Sequence, residues 1–166
     1  AVNLSVAQLR QPDLVDQVQR VLDSCAMPPA CLQLEVTESL AAQDPASLGR
    51  LRALKALGVG LALDDFGTGY SSLSCLHQLP VDTVKIDRSF VMEAERSEYH
   101  RALIEATVRV ARTLRMATVA EGIETAEQSA MVQALGCDLG QGYLHCRPLE
   151  AEALTPWLAA RAPLRR

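Results

Sequence analysis

The stretch Leu61-Ala62-Leu63-Asp64-Asp65-Phe66-Gly67 ends an apolar run with two adjacent acids. A short apolar run of this kind is typical of a strand buried in a parallel sheet. Two neighbouring carboxylates at its end would repel each other and lose hydration unless a cation neutralises them. The stretch therefore predicts a buried strand with a functional end, although a lone aspartate after a strand is most often a helix N-cap.

The same pattern, a short apolar run followed by an amphipathic segment, recurs along the chain. It predicts strands at residues 1–4, 32–36, 59–63, 83–86 and 117–120, with a weaker one at 141–144. Apolar residues at helical spacing predict helices between them, such as the faces formed by Leu14, Val15, Val18, Val21 and Leu22 or by Leu48, Leu51 and Leu54. Strands that alternate with helices imply a parallel sheet with right-handed crossovers.

Six such units fit either an open doubly wound sheet or most of a (β/α)8 TIM-type barrel. No G-x-G-x-x-G follows the first strand, so a dinucleotide-binding fold loses its best support. A full barrel needs about 250 residues and eight strands, whereas this chain has 166 residues. We therefore predict an α/β fold, an incomplete barrel of about six βα units that lacks the first two strands. The domain is expected to span residues 1–160, with a tail at 161–166.

Composition limits the classes of function. A formal net charge of -4 argues against a nucleic acid polymer as partner, and 49% hydrophobic residues argue against disorder. No apolar run approaches the roughly 20 residues that span a bilayer. Five cysteines, an odd number without a C-x-x-C pair, disfavour a zinc site or a secreted disulfide framework. We expect a cytoplasmic domain, in a protein that can be membrane-anchored elsewhere.

Polar side chains stand at or beside the ends of the predicted strands: Asn3, Glu35, Asp64, Asp65, Lys85, Glu121 and Gln141. A parallel barrel gathers these ends around one mouth. The oxygen-bearing members suit hard cations such as Mg²⁺ or Mn²⁺, and no histidine lies at a strand end to favour zinc. Taken alone, Lys85 could be a surface lysine and Gln141 a turn residue. Their recurrence at successive strand ends favours a metal site.

Six segments in order carry a family resemblance: Val2–Ser5, Leu34–Ser39, Asp64–Ser72, Lys85–Phe90, Ala120–Thr125 and Gln141–Tyr143. Together they resemble the signature of EAL domains over nearly the whole chain, from Val2 to about Pro148. The resemblance implies a (β/α)8 barrel that hydrolyses cyclic di-GMP to linear pGpG in bacterial signalling. It also implies two divalent cations, Mg²⁺ or Mn²⁺, as cofactors.

The resemblance assigns roles to individual residues. The implied metal ligands are Asn3, Glu35, Asp64, Asp65 and Glu121. Lys85 matches a lysine that orients or activates the attacking water, and Gln141 matches a glutamine that supports this water and the metal. Glu121 is counted with them as catalytic.

Glu38 resembles the anchor of the Asp65–Ser72 loop, which the family associates with homodimer contacts, and Glu124 resembles an acid that supports the ligands. Gly142 and Tyr143 are expected to contact substrate. Whether Lys85 accepts a proton or stays charged and holds a phosphate oxygen is left open.

The chain departs from the family at one point, because no Glu-Ala-Leu motif precedes Asn3. The letters at Glu152-Ala153-Leu154 lie in the tail and match it by chance. We expect the chain to be cut from a longer protein with an upstream sensory or GGDEF domain, and by itself to be inactive, unstable or rescued only by oligomerisation. Three functions stay open: a metal-dependent phosphodiesterase, a non-catalytic cyclic di-GMP binding and signalling module, and an unrelated barrel enzyme that uses Mg²⁺ on another phosphate.

Overall fold

A six-stranded parallel sheet forms the centre of the computed structural model, which describes residues 1–37, 45–67 and 73–160. Its strands are β1 (Val2–Asn3), β2 (Gln33–Thr37), β3 (Gly60–Phe66), β4 (Thr83–Ile86), β5 (Ala117–Ala120) and β6 (Leu139–Gly140). Each strand pairs in parallel with the next one along the chain. This sequential order is that of a (β/α) barrel and not the reversed order of a doubly wound sheet. The predicted fold class is confirmed.

Helices follow the strands and cover the sheet. They are α1 (Val6–Leu9), α2 (Leu14–Ser24), α3 (Pro45–Ala56), α4 (Arg88–Ala94), α5 (Glu98–Thr113), α6 (Ala126–Ala134) and α7 (Ala151–Ala159). A capping box formed by Thr125 and Gln128 starts α6, and Pro45 is the first residue of α3. No helix within residues 1–37, 45–67 and 73–160 combines the length and apolarity of a bilayer span.

The core lies between the helices and the sheet, and most predicted helix faces point into it. Leu51 and Leu54 of α3 are fully buried, and Leu22 of α2 is only 2% exposed. Val21 is the exception, because its side chain is 59% exposed. It lies at the margin of the apolar stripe of α2 and faces solvent.

Two predicted strand ends were wrong. Strand β3 continues beyond Leu63 to Phe66, so Asp64 and Asp65 belong to the strand itself. Strand β6 ends at Gly140, before the predicted run 141–144. That run forms a turn instead, in which Leu144 N–H donates to Ile123 O at 3.0 Å and His145 N–H donates to Gly142 O at 3.0 Å.

The capping box gives a stability prediction. Thr125 Oγ1 accepts a hydrogen bond from Gln128 N–H at 3.1 Å, and Gln128 Oε1 accepts from Thr125 N–H at 3.3 Å. Thr125→Ala should lower the free energy of unfolding by about 1 kcal/mol in urea denaturation, since the first turn of α6 loses its cap. Thr113→Ala is the matched control, because its exposed hydroxyl bonds only within α5, and it should cost less than about 0.5 kcal/mol. Equal losses would contradict the capping role.

Candidate metal centre

Lys85 of β4 lies at the centre of a cluster of acids from neighbouring strands. Its Nζ is 3.0 Å from Glu35 Oε1, 2.8 Å from Asp64 Oδ1 and 2.9 Å from Glu121 Oε1. Glu35 belongs to β2, Asp64 to β3, and Glu121 directly follows β5. The four side chains are only 6% to 16% exposed. The parallel sheet thus brings together, at one end, residues that the sequence places up to 86 positions apart.

The charges of this cluster do not balance. Burial disfavours the ammonium form of Lys85, but attraction to Asp64, Glu121 and Glu35 outweighs it and raises the pKa of Lys85 above its ordinary value. Burial also raises the pKa of the Glu121 carboxyl. Lys85 opposes this effect, while Asp64 and Glu35 add to it. The acids thus keep Lys85 charged, whereas burial and the neighbouring acids work against the charge of Glu121, which a single shared ammonium does not fully offset.

Asp65 joins the cluster through an irregularity in β3. The register between β3 and β4 shifts between Leu63 and Phe66, and Asp65 has a positive φ of 54°. Adjacent side chains of a regular strand point to opposite faces, whereas a bulge redirects one of them. Carboxylate oxygens of Asp64, Asp65 and Glu121 therefore lie within 4.8 Å of one another. Burial, followed by the charges of Asp64 and Asp87, raises the pKa of Asp65.

This donor set fits a divalent cation. Opposite ligands of an octahedral Mg²⁺ lie about 4 Å apart, so small side-chain movements would bring the three oxygens to one ion. Asp64 Oδ1 is buried and has no aligned hydrogen bond within the described residues, although the Lys85 ammonium is near it. A buried oxygen without an aligned donor has a lone pair available for a cation. Hard carboxylate oxygens are the ligands that Mg²⁺ and Mn²⁺ prefer.

The remaining predicted site residues lie around this cluster at varying distance. Asn3 ends β1 and stands opposite Glu35 in the sheet register. Gln141 directly follows β6, and its N–H donates to Ala120 O at 2.8 Å. Glu124 is exposed and lines a neighbouring cavity. Glu38 lies outside the described residues, as does the predicted dimer loop beyond Gly67.

Two cavities open beside the acids. One of about 280 Å³ extends from Asp65 and Glu121 to Glu124, and one of about 680 Å³ extends from Glu35 to Trp157. The segment Gln141–Tyr143 lines both of them. Tyr143 is 53% exposed, and the guanidinium carbon of Arg147 lies 4.6 Å from its ring centre. The site therefore combines an acidic floor with an aromatic and basic wall.

Sequence reasoning gave no role to Asp87 and Arg88, which line the smaller cavity. Asp87 also caps α4, because its carboxylate accepts a hydrogen bond from Ser89 N–H at 2.9 Å. Both residues directly follow β4, as Glu121 directly follows β5 and Gln141 directly follows β6. That position was the available signal, and it was overlooked because Lys85, inside the strand, already accounted for β4.

Six sequential parallel strands with acids gathered at their carboxyl ends define a (β/α)-barrel domain with an acidic mouth. The family described as EAL domain matches residues 1–148, and the chain belongs to that family. MucR of Pseudomonas aeruginosa, named a bifunctional diguanylate cyclase/cyclic di-GMP phosphodiesterase, is 47% identical over 155 residues, which are 93% of this chain and 23% of MucR. An uncharacterised signalling protein of Caulobacter vibrioides is 45% identical over 98% of this chain and 20% of its own length. The chain thus spans about a fifth of these curated relatives.

Solved EAL structures confirm the fold. The MucR phosphodiesterase in complex with cyclic di-GMP matches with a TM-score of 0.86 and 46% identity, over 92% of this chain and 62% of that one. The EAL domain of Mycobacterium smegmatis DcpA matches with a TM-score of 0.89 and 37% identity, over 97% and 73% of the two chains. Klebsiella pneumoniae BlrP1, solved with manganese and cyclic di-GMP, matches with a TM-score of 0.80 and 34% identity, over 86% and 37%.

The cluster predicts a large loss of stability when the positive charge of Lys85 is removed. In protein without divalent ions, Lys85→Met should lower the free energy of unfolding by about 3 kcal/mol, because buried acids lose their counter-charge. Added Mn²⁺ should recover part of this loss, since the same oxygens would then bind the ion. The measurement is urea denaturation with and without Mn²⁺.

Lys55→Met provides the matched control for that experiment. Lys55 pairs with Asp82, and both side chains are about 40% exposed. Lys55→Met should lower the free energy of unfolding by about 1 kcal/mol or less. Added Mn²⁺ should not change this loss. Similar losses and similar Mn²⁺ responses in both variants would contradict the metal centre.

Proposed function

We propose that this domain hydrolyses cyclic di-GMP to linear pGpG with divalent cations, Mg²⁺ or Mn²⁺, at the acid cluster. The observation that carries the proposal is the convergence of Glu35, Asp64, Asp65 and Glu121 on one side of the barrel mouth, around Lys85. The name of MucR and the manganese and cyclic di-GMP complex of BlrP1 support it. A phosphodiester is anionic, and an acid cluster of this density would repel it without cations.

The residues proposed to hold the cations are Asn3, Glu35, Asp64, Asp65 and Glu121. When bound, the cations would polarise the phosphodiester and lower the pKa of water. The chain itself supplies a largely preformed arrangement of oxygens, of which those of Glu35, Asp64 and Glu121 are mostly buried, so that little reorganisation is needed during the reaction. The bulge at Asp65 contributes to this arrangement, because it lets two consecutive acids serve the same site.

Lys85 is proposed to act as an ammonium and not as a proton acceptor. Its Nζ lies within 3.0 Å of three carboxylate oxygens, from Glu35, Asp64 and Glu121. Contacts of this number and length favour the charged form. With cations on the acids, N–H groups of Lys85 would be available to hold the attacking water or a phosphate oxygen. Of the two roles that the sequence left open, this geometry supports the second.

Gln141, Gly142 and Tyr143 are proposed to face the water and the nucleotide. The Gln141 amide can both donate to and accept from a water, and the residue lines both cavities. The exposed ring of Tyr143 suits stacking on a guanine base, and Arg147 beside it suits a phosphate. The larger cavity, about 680 Å³, has the size of a small-molecule site.

The whole protein is proposed to contain further domains, such as a sensory or GGDEF domain, since the chain matches only 23% of the bifunctional MucR. We likewise propose that it works in the cytoplasm, because Cys25, Cys31, Cys137 and Cys146 are free thiols, as is usual in a reducing compartment. A homodimer through the Asp65–Ser72 loop stays a prediction, because the structure describes only the part of this loop up to Gly67.

The decisive test is turnover of cyclic di-GMP by the full-length protein that carries this chain, with Mg²⁺ or Mn²⁺. Glu121→Ala should lower kcat by about a hundredfold or more, because it removes a ligand at the reacting phosphate. Glu127→Ala is the control, because Glu127 is exposed on α6, and this variant should keep the original kcat.

Tight binding of cyclic di-GMP without turnover would contradict the phosphodiesterase and favour the binding and signalling module. Turnover of another phosphate ester in preference would favour the unrelated enzyme.

Tyr143 gives a separate prediction on substrate binding. Tyr143→Ala should raise KM for cyclic di-GMP by about tenfold, because loss of one base-stacking contact costs on the order of 1–3 kcal/mol. Tyr143→Phe keeps the ring and should retain nearly the original KM. The measurement is the KM of the two variants from steady-state kinetics. An equal rise in KM for both would rule out stacking as the role of the ring.

A further inference from the structure

The loops after β5 and β6 pack against each other beside two proposed site residues. Ile123, two positions after Glu121, is 1% exposed. Gly140 and Gly142 flank Gln141, and both lie against Ile123. A Cβ on Gly140 would lie 2.5 Å from Ile123 Cδ1, and a Cβ on Gly142 would lie 2.0 Å from Ile123 O. Ile123 therefore occupies the space that a side chain at either glycine would need.

Backbone hydrogen bonds join the same two loops. Ile123 N–H donates to Gln141 O at 3.0 Å, and Leu144 N–H donates to Ile123 O at 3.0 Å. Gln141 N–H donates to Ala120 O at 2.8 Å. Both backbone polar groups of Gln141 are thus bound to the segment that carries Glu121. The position of Gln141 relative to Glu121 depends on this contact, since β6 itself has only two residues.

The Ile123 loop is also fixed on its other side. Gly122 has a φ of +68°, and a Cβ on it would lie 2.4 Å from Arg88 Cβ at the start of α4. The loop therefore has little room to move away from Gly140 if a larger residue is placed there. In a close-packed interior, such a misfit is passed to the neighbouring backbone.

We propose that Ile123 is a positioning residue, which sets the place of Gln141 relative to Glu121 through its contact with Gly140 and its backbone bonds. The catalytic consequence rests on the proposed function, whereas the geometric consequence does not. Ile123 touches neither substrate nor cation in this role. It acts through Gln141, whose amide must lie at a fixed distance from the acids to support a water.

The experiment is a size-compensation pair in the full-length protein. Gly140→Ala places a methyl group against Ile123 Cδ1, and Ile123→Val removes that carbon, leaving His145 Nε2 at 3.7 Å and Ile123 Cγ1 at 4.0 Å as the next atoms, both at ordinary contact distance. Gly140→Ala should lower kcat for cyclic di-GMP by about 10- to 100-fold, since a displacement of about 1 Å can cost a hundredfold. The double variant should return to within about threefold of Ile123→Val alone, a coupling that double-mutant cycles measure.

The matched control is Gly60→Ala. Gly60 starts β3 at the opposite end of the sheet, where an added Cβ would meet its nearest atoms at 3.6 Å, an ordinary contact. It should leave kcat unchanged. A loss in Gly140→Ala that the double variant does not restore, or no loss at all, would overturn the proposal.

A second readout does not depend on activity. Amide hydrogen exchange at Ile123 and Leu144, whose N–H groups make the bonds between the loops, should be about tenfold faster in Gly140→Ala and restored in the double variant. The Asp82 amide, bonded to Leu61 O at 2.8 Å away from the site, should not change. If the unmodified protein has no turnover, the proposed function fails, and these exchange rates alone decide the positioning claim. Unchanged exchange at Ile123 and Leu144 would overturn it.

Discussion

The ammonium of Lys85 counters acids that would otherwise repel one another at the end of the sheet. Like charges a few ångströms apart in a buried place strongly favour protonation or separation. Lys85 holds Glu35, Asp64 and Glu121 at contact distance because β4, which carries it, lies between β3 and β5. The contact to Glu35 crosses two strand spacings, about 10 Å, which the curvature of a barrel and two long side chains permit. Four acids, with Asp65 included, still exceed one ammonium, and this excess favours cations at the site.

The site has two kinds of support. Its acids and Lys85 sit on or directly after strands of the central sheet, where ladder hydrogen bonds and a buried core fix the backbone. Gln141 follows a strand of two residues and has much less support of this kind. In the arrangement that we propose, packing between Ile123 and the glycines on either side of Gln141 adds to the support from this short strand. In the proposed function, a misplaced acid would change cation binding, whereas a misplaced Gln141 would change the position of the attacking water.

The sequence allowed the parallel sheet and the convergence of Glu35, Asp64, Lys85 and Glu121 to be predicted, because strand ends of a barrel share one mouth. The contribution of Asp65 was predicted from its place beside Asp64 at a strand end and from the family resemblance, but the bulge that directs its side chain to the site was not. Strand alternation alone would point the Asp65 side chain to the opposite face from Asp64, and the local sequence does not predict a bulge.

Other features depended on contacts between distant segments. The end of β6 was misplaced because its turn is stabilised by Ile123, some 17 residues earlier than Gly140. The number of acids around Lys85 also depended on the tertiary fold, so the sequence could not decide whether the lysine is neutral or charged. The roles of Glu38 and of the Asp65–Ser72 loop were predicted from resemblance and stay predictions.

The measurement that tests the central claim most directly is anomalous diffraction from crystals of this domain grown with Mn²⁺. The account predicts an anomalous peak within coordination distance of Asp64, Asp65 and Glu121, the three residues whose oxygens already lie within 4.8 Å of one another. The same peak should vanish from crystals of a Glu121→Ala and Asp64→Ala double variant. Saturating Mn²⁺ with no peak at these residues, or with peaks only elsewhere on the surface, would contradict the account.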